Sequence, residues 1–272
     1  MTTHPSTSVT SCATGVLALV LLAGCAAQTP APPANAPKPF AAAARTAADI
    51  NAVVGAADRS EADRALDAGR RPAELLQFLG IQPGMRVADL GAGTGYTTEL
   101  LARAVGPTGT VYGQNTRFIL ERFAEKPWSE RLTKPVMSNV VRVDREFDDP
   151  LPPEARDLDA VVLVLFYHDT VWMKTDRERM NRAIFAALRP GGVYVVIDHS
   201  ARPGDRVSQA ETLHRIEEHI VHDELAAAGF RFARSATFLR NPEDTRDWNA
   251  APRAAEERRG TSDRFALLFR KP

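Results

Sequence analysis

Apolar positions follow two alternating patterns from about residue 45 onward, short continuous runs and longer amphipathic segments. Short runs rich in β-branched residues predict buried strands, and the segments between them predict helices. Before residue 200 the predicted strands are residues 87–90, 110–113, 140–143, 160–165 and 194–197. The segments between them are long enough for parallel crossovers, so this order predicts βαβ units around a mostly parallel sheet.

The C-terminal part of the chain predicts a different connection. Residues 207–228 predict one long helix, and residues 230–239 and 265–269 predict two further strands. Because no parallel crossover separates these two strands, we expect an antiparallel pair added to the parallel sheet. The sequence therefore predicts an α/β fold with a seven-stranded, mostly parallel sheet and an antiparallel last strand.

The N-terminal 44 residues differ from the rest of the chain in composition. Residues 16–23 form an apolar run that is shorter than the roughly 20 residues a membrane-spanning helix needs, and its length is typical of a signal-peptide core. Leu22-Ala23-Gly24-Cys25 resembles a bacterial lipobox, which implies cleavage before Cys25 and lipidation of that cysteine. The following residues are rich in proline and alanine and predict an extended tether.

Charge and cysteine content exclude several function classes. Lys+Arg and Asp+Glu number 34 each, so the net charge of zero provides no field that would attract nucleic acid, and no nucleic-acid partner is expected. Both cysteines, Cys12 and Cys25, precede residue 45. The body of the chain therefore has no disulfide, no cysteine nucleophile and no cysteine metal ligand.

A glycine-rich loop follows the first predicted strand. Residues 87–95 read VADLGAGTG and precede a predicted helix over residues 97–105. Glycines let the backbone approach a ligand closely because no Cβ intervenes. The dinucleotide fingerprint G-x-G-x-x-G is not met, since its sixth position is Tyr96, and no acidic ribose-binding residue follows at the expected distance. Asp89 instead suits a ligand that carries an ammonium group beside a nucleoside.

This loop resembles the first motif of the class I S-adenosylmethionine-dependent methyltransferases, and the resemblance extends over roughly residues 60–272. It implies S-adenosylmethionine as the cofactor, with Asp89 near the loop or the methionine ammonium. Asn115, or Gln114 in a shifted register, occupies the position of the acid that holds the ribose. Glu146 lies near the adenine-side acid, with a solvated loop acid as the alternative. The implied cofactor-binding residues are Asp89, Gly91, Gly93, Thr94, Gly95, Asn115 and Glu146.

Candidate catalytic residues follow the fourth and fifth predicted strands. The carboxyl ends of parallel strands meet at one edge of a sheet, where ligands bind. His168, Asp169 and His199 lie at these ends, and imidazole titrates near neutral pH. We therefore predict that a histidine acts as the base and that Asp169, or Asp198, orients it or binds the acceptor. Hydrogen-bonded structural histidines are the alternative interpretation.

Two helical patterns suggest further interpretations. His214, Glu218 and His222 recur on one face of the predicted 207–228 helix and could ligate a metal. The remaining face carries the apolar stripe, so these residues also fit a solvated face, and no metal is predicted. His214 alone could still reach the mouth of the active site. Asp63, Asp67 and Arg70 share a face of a predicted helix before the first strand and could cover the cofactor or form surface ion pairs.

The sequence thus predicts a lipoprotein signal peptide over residues 1–24, a tether over 25–44 and a methyltransferase-like domain over 45–272. The predicted function is methyl transfer to a small-molecule acceptor by an exported lipoprotein, anchored to the membrane through Cys25 and facing the periplasm or the cell exterior. Because S-adenosylmethionine is a cytosolic cofactor, a second hypothesis stays open. In it, an exported protein of this fold binds a nucleoside-like ligand or an envelope partner without methyl transfer. A third hypothesis is a hydrolase or metalloenzyme that uses the histidines.

Overall fold

The structure is a computed structural model that describes residues 45–272. The predicted signal peptide, Cys25 and the tether lie outside the described residues. Within residues 45–272, the helices are all too short or too polar to cross a membrane.

A single sheet of seven strands forms the centre of the described domain, in the order β3-β2-β1-β4-β5-β7-β6. The strands are β1 Arg86–Leu90, β2 Thr110–Asn115, β3 Val140–Asp144, β4 Leu158–Val164, β5 Leu188–His199, β6 Arg231–Ala236 and β7 Arg264–Arg270. Strands β1 to β5 pair in parallel, and β7 runs antiparallel to both β5 and β6. This topology confirms the predicted fold.

Helices cover both faces of this sheet. They are α1 Ala47–Val54, α2 Glu61–Arg70, α3 Pro72–Leu79, α4 Tyr96–Val105, α5 Arg117–Ile119, α6 Glu125–Leu132, α7 Asp169–Trp172, α8 Arg177–Ala187 and α9 Glu218–Ala227. Ser60 caps the N-terminus of helix α2, because its side chain accepts a hydrogen bond from the backbone N–H of Asp63. Because helices flank the central strands, β1 and β4 are buried along almost their whole length, and β4 is apolar except for Asp159.

The predicted long helix over residues 207–228 is wrong in its first half. Helix α9 begins only at Glu218, and turns occupy residues 207–214. Arg206 and His214 both have φ near +52°, a left-handed conformation that interrupts a helix. Ile216 then forms a parallel bridge to Ser200 at the end of β5. His214 therefore does not share a helix with Glu218 and His222, and the metal site considered on that face does not form.

Candidate functional site

A cavity of about 1050 Å³ opens at the carboxyl ends of β1, β4 and β5. The strand order reverses between β1 and β4, which is the position where ligands bind in open α/β sheets. Of the sequence-predicted residues, those that line the cavity are Asp89, Gly91, Gly93, Thr94, His168, Asp169 and His199. Gly95, Asn115 and Glu146 are absent from its lining.

The glycines of the loop are required by backbone conformation and by packing. Gly91, Gly93 and Gly95 have φ values of +61°, +58° and +87°, which side chains rarely adopt. A Cβ at Gly91 would lie 2.8 Å from Phe166 Cδ2, and one at Gly95 would lie 2.5 Å from the Trp128 ring. Only at Gly93 is the space open, with the nearest atom 3.9 Å away. Gly93 therefore exposes its backbone to the cavity, whereas Gly91 and Gly95 each pack against an aromatic ring.

Two amide side chains at the end of β2 hold this loop in place. Gln114 Oε1 accepts from the Gly91 N–H at 2.9 Å. Asn115 Oδ1 accepts from the Gly93 N–H at 2.8 Å, and its Nδ2 donates to the Gly93 carbonyl at 3.0 Å. The amide of Asn115 has one accepting and one donating atom, so it can bond the N–H and the carbonyl of Gly93 at the same time, which a carboxylate could not do. Contact of Asn115 with a ribose stays a prediction.

Glu146 lies at the surface, where its Oε1 accepts from the Arg117 N–H at 3.2 Å. This position agrees with the alternative of a solvated loop acid. Asp63 and Asp67 form ion pairs with Arg131 at 2.6 Å and with Arg59 at 2.7 Å. Arg70, by contrast, lines the cavity, with its guanidinium 4.6 Å from the centre of the Tyr96 ring.

Asp89 lies at the floor of the cavity and is 2% exposed. Its Oδ2 accepts a hydrogen bond from Thr98 Oγ1 at 2.6 Å. Burial raises the pKa of Asp89 to about 7, against the opposing effects of this hydrogen bond and of Arg70. A cationic ligand group at Asp89 would favour the ionised carboxylate, because opposite charges stabilise each other most where water is excluded.

The pKa of Asp89 predicts a pH dependence of folding. Because it rises from 3.8 to about 7 on folding, the native state binds the extra proton, and stability is lost as the pH rises through that window. We expect the free energy of unfolding of the wild type to fall relative to that of Asp89→Asn between pH 5 and 8, by at most about 3 kcal/mol. Urea unfolding of both proteins at both pH values measures this difference. Parallel pH profiles would contradict it.

His168 is buried and is held by Asp198. Its Nδ1 lies 2.7 Å from Asp198 Oδ1, and Asp198 also accepts from the backbone N–H groups of His168 and His199 at 2.7 Å each. Burial alone lowers the pKa of His168, but the carboxylates of Asp198 and Asp169 outweigh burial and raise it to about 10. The environment of this ring therefore favours the imidazolium form, so at neutral pH the ring already carries the proton that a base would have to accept.

Asp169 also joins His168 to His214, which the sequence had placed on a helix. Asp169 Oδ1 lies 3.2 Å from His168 Nε2 and 3.2 Å from His214 Nδ1, and it accepts from Trp172 Nε1 at 2.8 Å. His214 is separated from His168 by 46 residues in the chain. No local pattern signals this contact, because it depends on the turn that replaces the predicted helix.

His199 has the opposite electrostatic environment. It is buried, and its Nδ1 lies 2.7 Å from Ser262 Oγ. Burial lowers the pKa of His199 well below its usual value, and the positive charge of His168 lowers it further. The ring lines the cavity, so a neutral imidazole faces any bound acceptor. Of the two predicted base candidates, His199 has the protonation state that a base requires.

Aromatic side chains form the outer part of the cavity and were not predicted from sequence. Phe118 and Trp172 make an edge-to-face contact with ring centres 5.5 Å apart, and Phe123 also lines the cavity. Phe118 and Phe123 are 39% and 45% exposed, which is unusual for large apolar side chains. A second cleft of about 490 Å³, near α1 and α4, contains none of the predicted site residues.

Part of the chain matches a known protein family by sequence. Residues 51–140, which include β1, the glycine loop and β2, match the family described as Protein-L-isoaspartate(D-aspartate) O-methyltransferase (PCMT). The Ubiquinone/menaquinone biosynthesis C-methyltransferase UbiE of Ectopseudomonas mendocina (strain ymp) is 32% identical over 131 residues, which are 48% of this chain and 47% of that protein. The chain thus spans about half the length of the curated relatives it matches.

Solved structures resemble the domain over more of its length. A SAM dependent methyltransferase from Aquifex aeolicus has a TM-score of 0.54 at 17% identity, over 83% of this chain and 98% of that one. An S-adenosylmethionine dependent methyltransferase from Mesorhizobium loti has a TM-score of 0.51 at 19% identity, over 75% and 99%. The chain therefore has the fold of the class I S-adenosylmethionine-dependent methyltransferases, and the segment that builds its glycine loop is similar in sequence to methyltransferases.

Proposed function

We propose that this protein is an S-adenosylmethionine-dependent methyltransferase that acts on a small-molecule acceptor. The observation that carries the proposal is the glycine loop, fixed by Gln114 and Asn115 beside the buried Asp89 at the floor of the cavity. Sequence similarity to methyltransferases over residues 51–140 supports the same conclusion.

The residues of the cavity fit this cofactor. Asp89 would bind the methionine ammonium, since its carboxylate is stabilised by a nearby positive charge. Arg70 would bind the methionine carboxylate, because its guanidinium lines the cavity and has no hydrogen-bond partner among residues 45–272. The open backbone at Gly93 would allow the close approach that the rest of the cofactor needs.

Bound S-adenosylmethionine would supply an electrophilic methyl group for an in-line displacement. The chain would align the acceptor with this methyl group and remove its proton where it carries one. His199 is the proposed base, because its ring lines the cavity and Ser262 holds its Nδ1. Asp198 would keep the surrounding wall rigid, because it accepts hydrogen bonds from the backbone N–H groups of both His168 and His199.

The cavity favours a small acceptor with an apolar body. Its volume of about 1050 Å³ lies at the upper end of the roughly 300–1,000 Å³ of ligand pockets, which leaves room for a cofactor and an acceptor together. Phe118, Phe123 and Trp172 would pack against an aromatic or aliphatic molecule. The relative from Ectopseudomonas mendocina is named for ubiquinone/menaquinone biosynthesis, and quinol-like aromatic compounds are therefore suitable first acceptors for assay.

Export and anchoring through Cys25 belong to the same proposal and rest on the lipobox resemblance. A lipid anchor would place the domain beside membrane-soluble acceptors. Comparing the mass of the protein purified from membranes with that of Cys25→Ser tests this point. Identical masses, after allowing for the substituted side chain, would contradict lipidation.

We expect the purified full-length chain to bind S-adenosylmethionine and S-adenosylhomocysteine with micromolar affinity in isothermal titration calorimetry. Binding followed by methyl transfer to a quinol-like acceptor would support the proposal. Binding without transfer to any acceptor tested would favour an exported protein that keeps the fold and its ligand but not the reaction. The absence of binding to both compounds would reject the proposed cofactor site.

A further inference from the structure

We propose that His168, Asp169 and His214 form a binding site for one divalent first-row transition-metal ion in the wall of the cavity. The two imidazoles and the carboxylate come from the segment after β4 and from the turns before α9. All three residues line the cavity that contains the glycine loop.

The spacing of the ligand atoms matches a metal site. His168 Nε2, His214 Nδ1 and Asp169 Oδ1 form a nearly equilateral triangle with edges of 3.1, 3.2 and 3.2 Å. At metal–ligand distances of about 2.1 Å, neighbouring ligands of a tetrahedral or octahedral ion lie about 3.0–3.4 Å apart. A single ion can therefore contact all three atoms without rearrangement of the side chains.

Hydrogen bonds among these three ligand atoms satisfy them less well than one metal ion would. If His168 Nε2 and His214 Nδ1 both donate to Asp169 Oδ1, two N–H groups face each other at 3.1 Å. If instead one of these nitrogens is unprotonated and accepts a hydrogen bond from the other ring, it can no longer donate to the Asp169 carboxylate. A metal ion at the centre would use one lone pair from each atom, and Trp172 would still donate to Asp169.

Surrounding residues orient the ligands as outer-shell groups do in metalloproteins. His168 Nδ1 lies 2.7 Å from Asp198 Oδ1, which directs the lone pair of Nε2 toward the cavity. Asp198 itself is fully buried and fixed by backbone N–H groups. His214 adopts φ +52°, a strained conformation for a non-glycine residue that brings its ring to the other two ligands.

Two imidazoles and one carboxylate suit ions such as Zn²⁺, Fe²⁺, Mn²⁺ or Co²⁺. Because all three would lie on one side of the ion, they leave its other coordination positions open. These positions would face the cavity, where an oxygen, nitrogen or sulfur of the acceptor could bind and become easier to deprotonate. Only this acceptor role rests on the proposed methyltransferase function. The metal site itself does not depend on it.

Titration of the metal-stripped full-length chain with Zn²⁺ tests the site. We expect one equivalent to bind and His214→Ala to weaken binding by at least about 10-fold, since even outer-shell changes cost 10–100-fold. His214 lies in a turn and its side chain is 24% exposed, so this variant should fold. Co²⁺ gives an independent readout, because visible absorption reports its protein ligands. Its spectrum should change in His214→Ala.

His219→Ala is the matched control, because its side chain is 46% exposed and lies outside the triangle. Zn²⁺ should raise the Tm of the wild type and of His219→Ala, but not that of His214→Ala. Equal Zn²⁺ affinity in the wild type and His214→Ala would overturn the inference. Titrating S-adenosylmethionine into the same samples separates the two proposals, since failure of cofactor binding leaves the Zn²⁺ result unaffected.

Discussion

Gly93→Arg should abolish S-adenosylmethionine binding while the domain stays folded. A Cβ at this position meets no atom closer than 3.9 Å, so the new side chain can extend into the cavity over the loop. Its bulk and charge would occupy the space proposed for the cofactor, and we expect an affinity loss of at least about 100-fold, or about 3 kcal/mol. The left-handed φ of +58° adds a folding cost of about 1–2 kcal/mol.

Gly80→Arg separates these two effects. Gly80 has a similar φ of +64° and open space around it, but it ends helix α3 away from the cavity. We expect a comparable loss of stability with unchanged cofactor affinity. Calorimetric titration and urea unfolding of both variants measure the two quantities. If Gly93→Arg still binds the cofactor like the wild type, the site has been misplaced.

Asp244→Ala should destabilise the protein by about 3–5 kcal/mol. Asp244 pairs with Arg215 at 2.8 Å, and neither side chain is exposed to solvent. The same carboxylate accepts from the backbone N–H of Asp263 at 2.6 Å and from Trp248 Nε1 at 2.7 Å. Its removal leaves the Arg215 guanidinium as a buried charge without its carboxylate, which costs more than the ion pair contributes.

Asp247→Asn provides the control within the same segment. Asp247 pairs with Arg202 at 3.0 Å, but both side chains are about half exposed, so solvent screens the pair. We expect no measurable change in the urea midpoint for this variant. Because Asp244 anchors the segment that places Pro252 and Arg259 at the cavity, Asp244→Ala should also weaken cofactor binding. Equal stability of the two variants would show that the buried pair does not hold this segment.

The strands of the sheet and the loop after β1 could be predicted from sequence because their signals are local. An apolar run such as residues 87–90 identifies a strand buried on both faces, and the glycines after it identify a tight turn into α4. The left-handed φ values at Gly91 and Gly93 confirm that turn. The sequence also predicted His168 and His199 at the ends of strands. In the structure, both residues line the cavity.

Other features depended on segments that are distant in sequence. The role of Asn115 required the loop after β1 to lie beside the end of β2, so that one amide could bond both the N–H and the carbonyl of Gly93. The protonation states of His168 and His199 follow from the burial of both rings and from the carboxylates that lie beside His168, and the sequence alone made the two histidines equivalent. Burial of Arg215 with Asp244 had no sequence signal, since 29 residues separate the partners.

The sequence by itself determined the fold class, the strand order along the chain and the position of the glycine loop, because hydrophobic periodicity and turn chemistry act over a few residues. Only the tertiary structure decided which polar side chains meet. His214 shows the reason most clearly. Helical periodicity placed it with Glu218 and His222, but pairing of Ile216 with the end of β5 and a left-handed backbone at His214 carry it to His168 and Asp169. Long-range packing outweighs local propensity there.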